Sequence, residues 1–314
     1  MAKINTKLRI AILGPGAIGG FLAALFWKDG HNVICVGNKD SVTKIQNHGI
    51  EFESQLYGNF IAKPNSVEVL NSSVDVLFIS IKAPFMNDAL KRINVDCIKN
   101  GTVIPLLNGV GHGENIRDSL GPRVAIGTIG SIEVVRNSKG TVCHLSSARP
   151  KIEIASNSNI LKTTLKELSI VVNSVGIAIS VLNSEAEVIW NKLVRLNAIA
   201  SLTTAYQKNI GEIRSNVKLN KLLKKIVQEG ALVANREGAS INPIKVMNQI
   251  NNLPCSLQAS MQRDVRLGRK SEFESITAGV LKLAKFYGIS APAHEFVYGL
   301  LINQKITDLK NNEK

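Results

Sequence analysis

Short, mostly apolar runs alternate with segments of helical spacing through the first half of the chain. Residues 8–13 form a β-rich run, and an uncharged stretch with a helical pattern follows to Trp27. Residues 32–36 predict a second strand, and residues 41–48 a helix opened by Ser41 as its cap. Turn signals and alternation over 50–63 predict a small hairpin. Residues 74–81, apolar apart from Asp75 and Ser80, predict a strand of the kind buried on both faces of a parallel sheet. Residues 85–98 read as helix, 102–107 and 124–128 as strands, and 132–146 as a hairpin turning at 137–140. A strand at 151–155, a helix at 160–173 and a strand at 177–182 complete this half. The expected class is α/β, a Rossmann-type doubly wound parallel sheet with right-handed crossovers.

From Ser184 the pattern is helical only. Ser184 is a good N-cap, and Glu185 and Glu187 suit a first turn. Helical spacing then runs over 187–206, 216–238, 243–250, 257–267 and 273–287, with a last segment after Pro292. The expected organisation is a dinucleotide-binding domain over 1–183 and an all-helical substrate and dimerisation domain over 184–314. Residues 309–314 are expected to fray.

Composition narrows the function classes. A chain of 314 residues, 45% hydrophobic and 20% charged, has ordinary globular make-up and room for a large core. Cys35, Cys97, Cys143 and Cys255 lie far apart with no Cys-x-x-Cys. That spacing argues against a disulfide scaffold and a metal site, and it fits a reducing cytoplasm. The formal charge of +14 invites a nucleic-acid reading. The lysines are spread along the chain, however, and the 5% of aromatics do not interleave with them as a stacking platform requires. No nucleic-acid partner is expected, and the basic balance serves an anionic cofactor and substrate. Lys3, Lys7 and Arg9 precede eighteen uncharged residues, Ile10 to Trp27, which resembles a leader or a span. Gly14-Pro15-Gly16 would break a spanning helix, no small-residue cleavage site follows, and no other long apolar run exists. No membrane partner is expected.

The chemistry begins at Gly14-Pro15-Gly16-Ala17-Ile18-Gly19, between a strand and a helix. That context is the dinucleotide fingerprint. Gly14 allows the tight turn, Gly16 lets backbone approach a pyrophosphate, and Gly19 lets helix pack on strand. The N–H groups of the helix start, Ala17 and Ile18 included, face the phosphates. Ligands in such sheets sit beyond the carboxyl ends of strands, where Asn38, Lys39, Lys82 and Asn108 fall. An acid at the second strand end would read an NAD ribose. The chain has Gly37-Asn38-Lys39 there, which suits a 2′-phosphate and points to NADP, with Asp40 keeping NAD open. Lys192 lies beside the buried stripe of its helix, either snorkelling or functional. Glu272 is either a partner that orients Lys192 or an ordinary first-turn acid after Ser271.

Several pieces together carry a resemblance. They are Gly14-x-Gly16-x-x-Gly19, Ile81-Lys82-Ala83, Asn108-Gly109-Val110-Gly111, Trp190-x-Lys192-Leu193, Leu202-Thr203, Gly211-Glu212-Ile213, Ser260-Met261-Gln262-Arg263-Asp264 and the Glu272 segment. In order and spacing they resemble the ketopantoate reductase (2-dehydropantoate 2-reductase) family over nearly the whole chain. The resemblance implies NADPH-dependent reduction of 2-dehydropantoate to pantoate, in pantothenate and coenzyme A biosynthesis. It implies that Lys192 is the general acid and that Glu272 holds Lys192 and the substrate. It places Ser260 on the substrate carboxylate, Asn108 between nicotinamide and substrate, and Lys82 on the cofactor. Asn38 stands where the family often has an arginine for the 2′-phosphate, with Lys39 as a substitute. A homodimer stays open.

The family has asparagines four and eight residues after its catalytic lysine, and one before Gly211-Glu212. This chain has Leu196, Ala200 and Ile210 there, and Asn197 is one residue off, about 100° around the helix. The pocket is therefore expected to be more apolar. Two alternatives stand beside the first reading: a reductase of the same family for a more apolar 2-oxo acid or an imine, and an NADP-binding sensor without chemistry.

Overall fold

A computed structural model describes residues 7–312, with side chains described up to Asn303. Lys3, used above in weighing a leader, lies outside the described residues. The chain forms two compact units. One is the described residues up to Leu107 with His112–Val188; the other is Asn108–Gly111 with the described residues from Ile189 on.

In the first unit, β1 (Arg9–Leu13), β2 (Asn32–Val36), β5 (Asn65–Val67), β6 (Val76–Ile79) and β7 (Thr102–Pro105) make one parallel sheet in the order β5-β2-β1-β6-β7. β1 and β6 are central strands, and their near-continuous burial follows from helices covering both faces of a parallel sheet. α1 (Ala17–Lys28) is buried over most of its surface, because it packs on this sheet and on a second one. The second sheet holds β3 (Ile50–Ser54), β4 (Phe60–Ala62), β9 (Val134–Arg136) and β10 (Val142–His144) in the order β4-β3-β10-β9. Its two antiparallel pairs are the hairpins expected over 50–63 and 132–146. Their union through the parallel β3–β10 pair has no local signature in sequence. Gly20 permits the close approach of α1 to β10, since a Cβ there would lie 2.8 Å from Val142 Cγ2. Phe21, Phe26, Phe52 and Phe78 fill the core, with Phe26 stacked on Phe78 at 5.5 Å. β8 (Ile126–Gly130), β11 (Lys151–Ala155) and β12 (Ala178–Val181) make a third sheet in the order β12-β11-β8, with α5 (Lys162–Ser174) packed on β12, and α4 (His112–Leu120), which the sequence pattern did not predict, belongs to the same unit.

Three of the expected helices differ in cap or continuity. The helix expected at 41–48 is α2 (Lys39–His48), and its cap is Asn38, whose side-chain oxygen accepts from Ser41 N at 3.0 Å. The helix expected at 85–98 is broken. Pro84 sits in a 3-10 turn (Ala83–Phe85), α3 (Met86–Leu90) follows, and Ile93 then pairs with Leu70 before Asn94 caps a second 3-10 turn (Val95–Ile98). The helix expected at 273–287 is a π-helical turn (Glu274–Ala278) running into α11 (Gly279–Phe286).

The second unit is helical. α6 (Glu185–Tyr206) opens with Ser184 Oγ accepting from Glu187 N, and the division between units falls after its first turn. α7 (Ile210–Ser215), opened by an Asn209–Glu212 capping box, was not legible as a helix at six residues. α8 (Val217–Arg236) packs against α7, α9 (Pro243–Asn251), α11 and α12 (Pro292–Asn312). α10 (Ser260–Arg266) is short. α12 runs to Asn312, and 313 and 314, part of the segment expected to fray, lie outside the described residues. No described helix is long and apolar enough to cross a membrane.

Candidate active site

The first set of candidate residues lies in the first unit, on the loop between β1 and α1. Gly14 has φ +86°, a conformation L side chains rarely adopt, and its N–H donates to Val36 O. A Cβ on Gly14 would lie 2.2 Å from Ile81 Cδ1, and one on Gly19 would lie 2.1 Å from the Gly14 carbonyl oxygen. Ser80 holds the turn by donating from Oγ to Gly14 O at 2.8 Å. Gly16 is different, because a Cβ there would have nothing within 4 Å. It occupies the N-cap of α1 with no side-chain cap, and the first turn holds no acid. The N–H groups of Ala17, Ile18 and Gly19 therefore face outward from a helix start with no acceptor inside the helix. Open space at Gly16, outward donors and a positive dipole end suit a pyrophosphate.

The strand ends add charge. Asn38 and Lys39 are exposed beyond β2, and the Asn38 oxygen is engaged as the α2 cap. Lys82 is half-buried at the start of the 3-10 turn beyond β6. Arg92 Nη1 donates to the carbonyls of Gly37 and Glu68, at 3.2 Å each.

The second set lies in the second unit and is one hydrogen-bonded chain. Lys192 Nζ donates to Asn108 Oδ1 at 2.8 Å, and Asn108 Nδ2 donates to Glu272 Oε2 at 3.1 Å. Glu272 thus reaches Lys192 by way of the Asn108 amide. Local sequence explains how Asn108 arrives there. Gly109, at φ +93°, lets the loop press on the backbone of Ser275, where a Cβ would lie 2.2 Å from the carbonyl oxygen. Val110 N donates to that same oxygen at 3.1 Å. Ser275 belongs to the π-helical turn, whose extra residue widens the backbone next to Glu272.

Lys192 is half-buried and Glu272 buried. Burial pushes the Lys192 amine down from 10.5 to about 8; the Glu272 charge opposes that and Arg195 adds to it. An amine of that kind is charged at neutral pH yet close to titrating, as a proton donor should be.

Other expected residues fall outside this chain of bonds. Ser260 is exposed at the first position of α10, beyond Ala259, which makes no side-chain cap. Leu196 is half-buried one turn after Lys192, Ala200 is buried two turns after it, and Ile210 is fully buried at the start of α7. Asn197 does not replace the missing amides. It is buried, with Nδ2 2.8 Å from His294 Nε2, and His294 Nδ1 lies 2.7 Å from Glu229 Oε2. Ser80 carries no motif signal beyond a hydroxyl at a strand end.

The family model for ketopantoate reductase PanE/ApbA matches residues 10–157, and that for its C-terminal part matches 186–305. The chain belongs to the ketopantoate reductase family. An uncharacterized oxidoreductase, YkpB of Bacillus subtilis, is 21% identical over 94% of this chain and 98% of its own. The 2-dehydropantoate 2-reductase of Pyrococcus horikoshii is 24% identical over 94% of this chain and 96% of its own. Among solved structures, D-mandelate dehydrogenase with NADH and anilino(oxo)acetate has a TM-score of 0.85 at 22% identity, covering 95% of this chain and 98% of that one. As a ketopantoate reductase family member, the chain is an oxidoreductase for a small molecule.

Proposed function

We propose that this chain reduces a 2-oxo acid to the 2-hydroxy acid with NADPH, that 2-dehydropantoate is the leading substrate, and that Lys192 is the general acid. The observation that carries the reading is the Lys192–Asn108–Glu272 chain of hydrogen bonds around an amine lowered to about 8. A nucleotide-binding sensor has no need of such a donor. Gly14, Gly16, Ala17, Ile18 and Gly19 hold the cofactor pyrophosphate, with Asn38, Lys39, Lys82 and Asn108 as further cofactor contacts. When bound, the reduced nicotinamide supplies the hydride that the keto carbon accepts. The Lys192 ammonium stabilises the negative charge that grows on the carbonyl oxygen and gives that oxygen its proton. Asn108 fixes the amine through Oδ1, and Glu272 fixes Asn108 while keeping the amine more basic than burial alone would. Glu272 and Asn108 also contact substrate, and Ser260 takes its carboxylate. The enzyme works in the cytoplasm, a setting the four free cysteines suit.

A second reading has its own support. Leu196 and Ala200 follow Lys192 on one face of α6, and Asn197 is committed to His294. That surface favours a 2-oxo acid with a bulkier apolar side chain. D-mandelate dehydrogenase, which shares the fold, is named for a 2-hydroxy acid of that kind. An NADPH-oxidation assay separates the two, run over 2-dehydropantoate, 3-methyl-2-oxobutanoate and phenylglyoxylate. The first reading requires the highest kcat/KM with 2-dehydropantoate. No oxidation with any oxo acid overturns the reductase itself.

A further inference from the structure

We infer that Arg92 is the residue that reads the 2′-phosphate of the cofactor, and so sets its preference for NADP. This rests on the dinucleotide reading of the glycine loop. In doubly wound sheets the adenosine ribose lies beyond the carboxyl end of the second strand. Here that end is Val36-Gly37, and the residues directly after it offer no guanidinium. The side chain that reaches it comes from past α3, about fifty-five residues further along. Arg92 Nη1 is tied to Gly37 O beyond β2 and to Glu68 O beyond β5.

The chemistry of that tether is specific. A guanidinium offers five N–H donors in a rigid fork, and among the described residues its bonds here come from Nη1. The edge formed by Nε and Nη2 has no partner among the described residues. No carboxylate pairs with Arg92 among them either. A half-buried cation held by backbone carbonyls alone, with one face of its fork unused, is built to meet an anion. Carbonyl anchoring also fixes the group in place before the ligand arrives, so little side-chain freedom is lost on binding. The short α3 is part of the device. A regular helix over 85–98 would carry residue 92 along its own axis; the break at Leu90 and the Leu70–Ile93 pairing bring it instead to the ends of β2 and β5.

Asn38 and Lys39 have lesser parts in this assignment. The Asn38 oxygen caps α2, and Lys39 is an exposed point charge rather than a fork.

Titration calorimetry with 2′,5′-ADP and 5′-AMP tests this without any turnover, since the pair differs by the 2′-phosphate alone. The intact chain is expected to prefer 2′,5′-ADP by about tenfold or more, as a charge-assisted bidentate contact gives. Arg92→Gln is expected to bring that ratio close to one while 5′-AMP affinity stays within about twofold. Arg92→Lys keeps a donor for the two carbonyls and should fold, yet it lacks the fork, so the ratio should fall there too. An unchanged ratio in both variants overturns the inference. So does an equal loss for both ligands, which would mark Arg92 as a brace for the loops. If the intact chain binds the two equally, the 2′-phosphate assignment fails and the dinucleotide reading stands. If it binds neither, and binds neither NADPH nor NADH, the dinucleotide reading itself fails.

Discussion

Lys192 and Asn108 are joined by a hydrogen bond of 2.8 Å from the amine to the side-chain carbonyl, although 84 positions separate them in the chain. The nitrogen of the same amide donates to Glu272, so the three side chains form one unit rather than a direct ion pair. Removing the middle member should therefore be nearly as costly as removing an end. Asn108→Ala is expected to lower kcat by roughly 10²-fold through misplacement of the amine. Lys192→Ala should cost about 10²–10⁴-fold in kcat with cofactor affinity little changed. In a Lys192→Ala background, Glu272→Ala should add little, because members of one network do not act additively. Steady-state kinetics on the single and double variants decides it. Simple addition of the two effects would return Lys192 to a lysine that merely covers apolar surface.

The amine gives the reaction a pH dependence of known sign. Lys192 titrates at about 8 in the folded chain, so its proton is present below that pH and lost above it. Reduction needs the proton, and kcat should hold up to about pH 8 and then fall tenfold per unit. The Glu272 charge raises this value, so Glu272→Gln should move the falling limb to lower pH. Lys192→Arg keeps its charge over the whole range and cannot give up the proton. Its residual rate should be small and flat with pH. A limb that stays in place in Glu272→Gln would sever Glu272 from the amine.

Much of this site was legible in the chain, and the reason differs by residue. Gly14, Gly16 and Gly19 are readable because their roles are local, set by one strand, one turn and one helix. Lys192 and Glu272 stand out only as polar residues beside apolar stripes; what joins them is Asn108, and its position depends on Gly109 pressing against Ser275. Nothing in local spacing reports a contact between residues so far apart. Arg92 was illegible for a related cause. Periodicity extended one helix through 85–98, whereas Pro84 and the Leu70–Ile93 pairing divide it. Asn197 misleads in the opposite way, since it looks like a displaced substrate ligand and is instead buried against His294.

That buried cluster should be a stability determinant. Burial alone would push the Glu229 carboxyl up; hydrogen bonds from the His294 ring and from the N–H groups of Ala293 and His294 outweigh it and hold the carboxyl below its ordinary value. A depressed carboxyl contributes stability above its unfolded pKa and loses it as pH falls through the folded one. Glu229→Ala leaves the start of α12 and a buried imidazole without their acceptor, at a cost of about 1–3 kcal/mol for each buried donor left unsatisfied. Thermal unfolding at pH 7 should show a clear drop in Tm. The gap from the parent should narrow as the pH falls below 4. A Tm within about a degree of the parent at pH 7 would mean that the cluster contributes little.

The glycine loop allows a sharper test, because its glycines are kept for different reasons. Gly19 is a packing position: a methyl there would lie 2.1 Å from Gly14 O and 2.5 Å from Ser80 Oγ, so the loop or α1 must shift. Gly19→Ala is expected to lower Tm and to weaken nucleotide binding together. Gly16 is not a packing position, since a methyl would meet nothing within 4 Å; its backbone, at φ −77° and ψ −142°, is one that glycine adopts more readily than alanine. On grounds of fold alone Gly16→Ala should cost only a modest backbone adjustment, with no packing clash. If the space over Gly16 is where the pyrophosphate comes against backbone, the same methyl must hold the ligand away. NADPH affinity should then fall by about tenfold or more, well beyond what any small change in Tm of the ligand-free protein accounts for. Fluorescence titration and thermal melts on the two variants separate these effects. Unaltered NADPH binding in Gly16→Ala would remove the pyrophosphate from this loop, and with it the structural basis for a dinucleotide cofactor in the first unit.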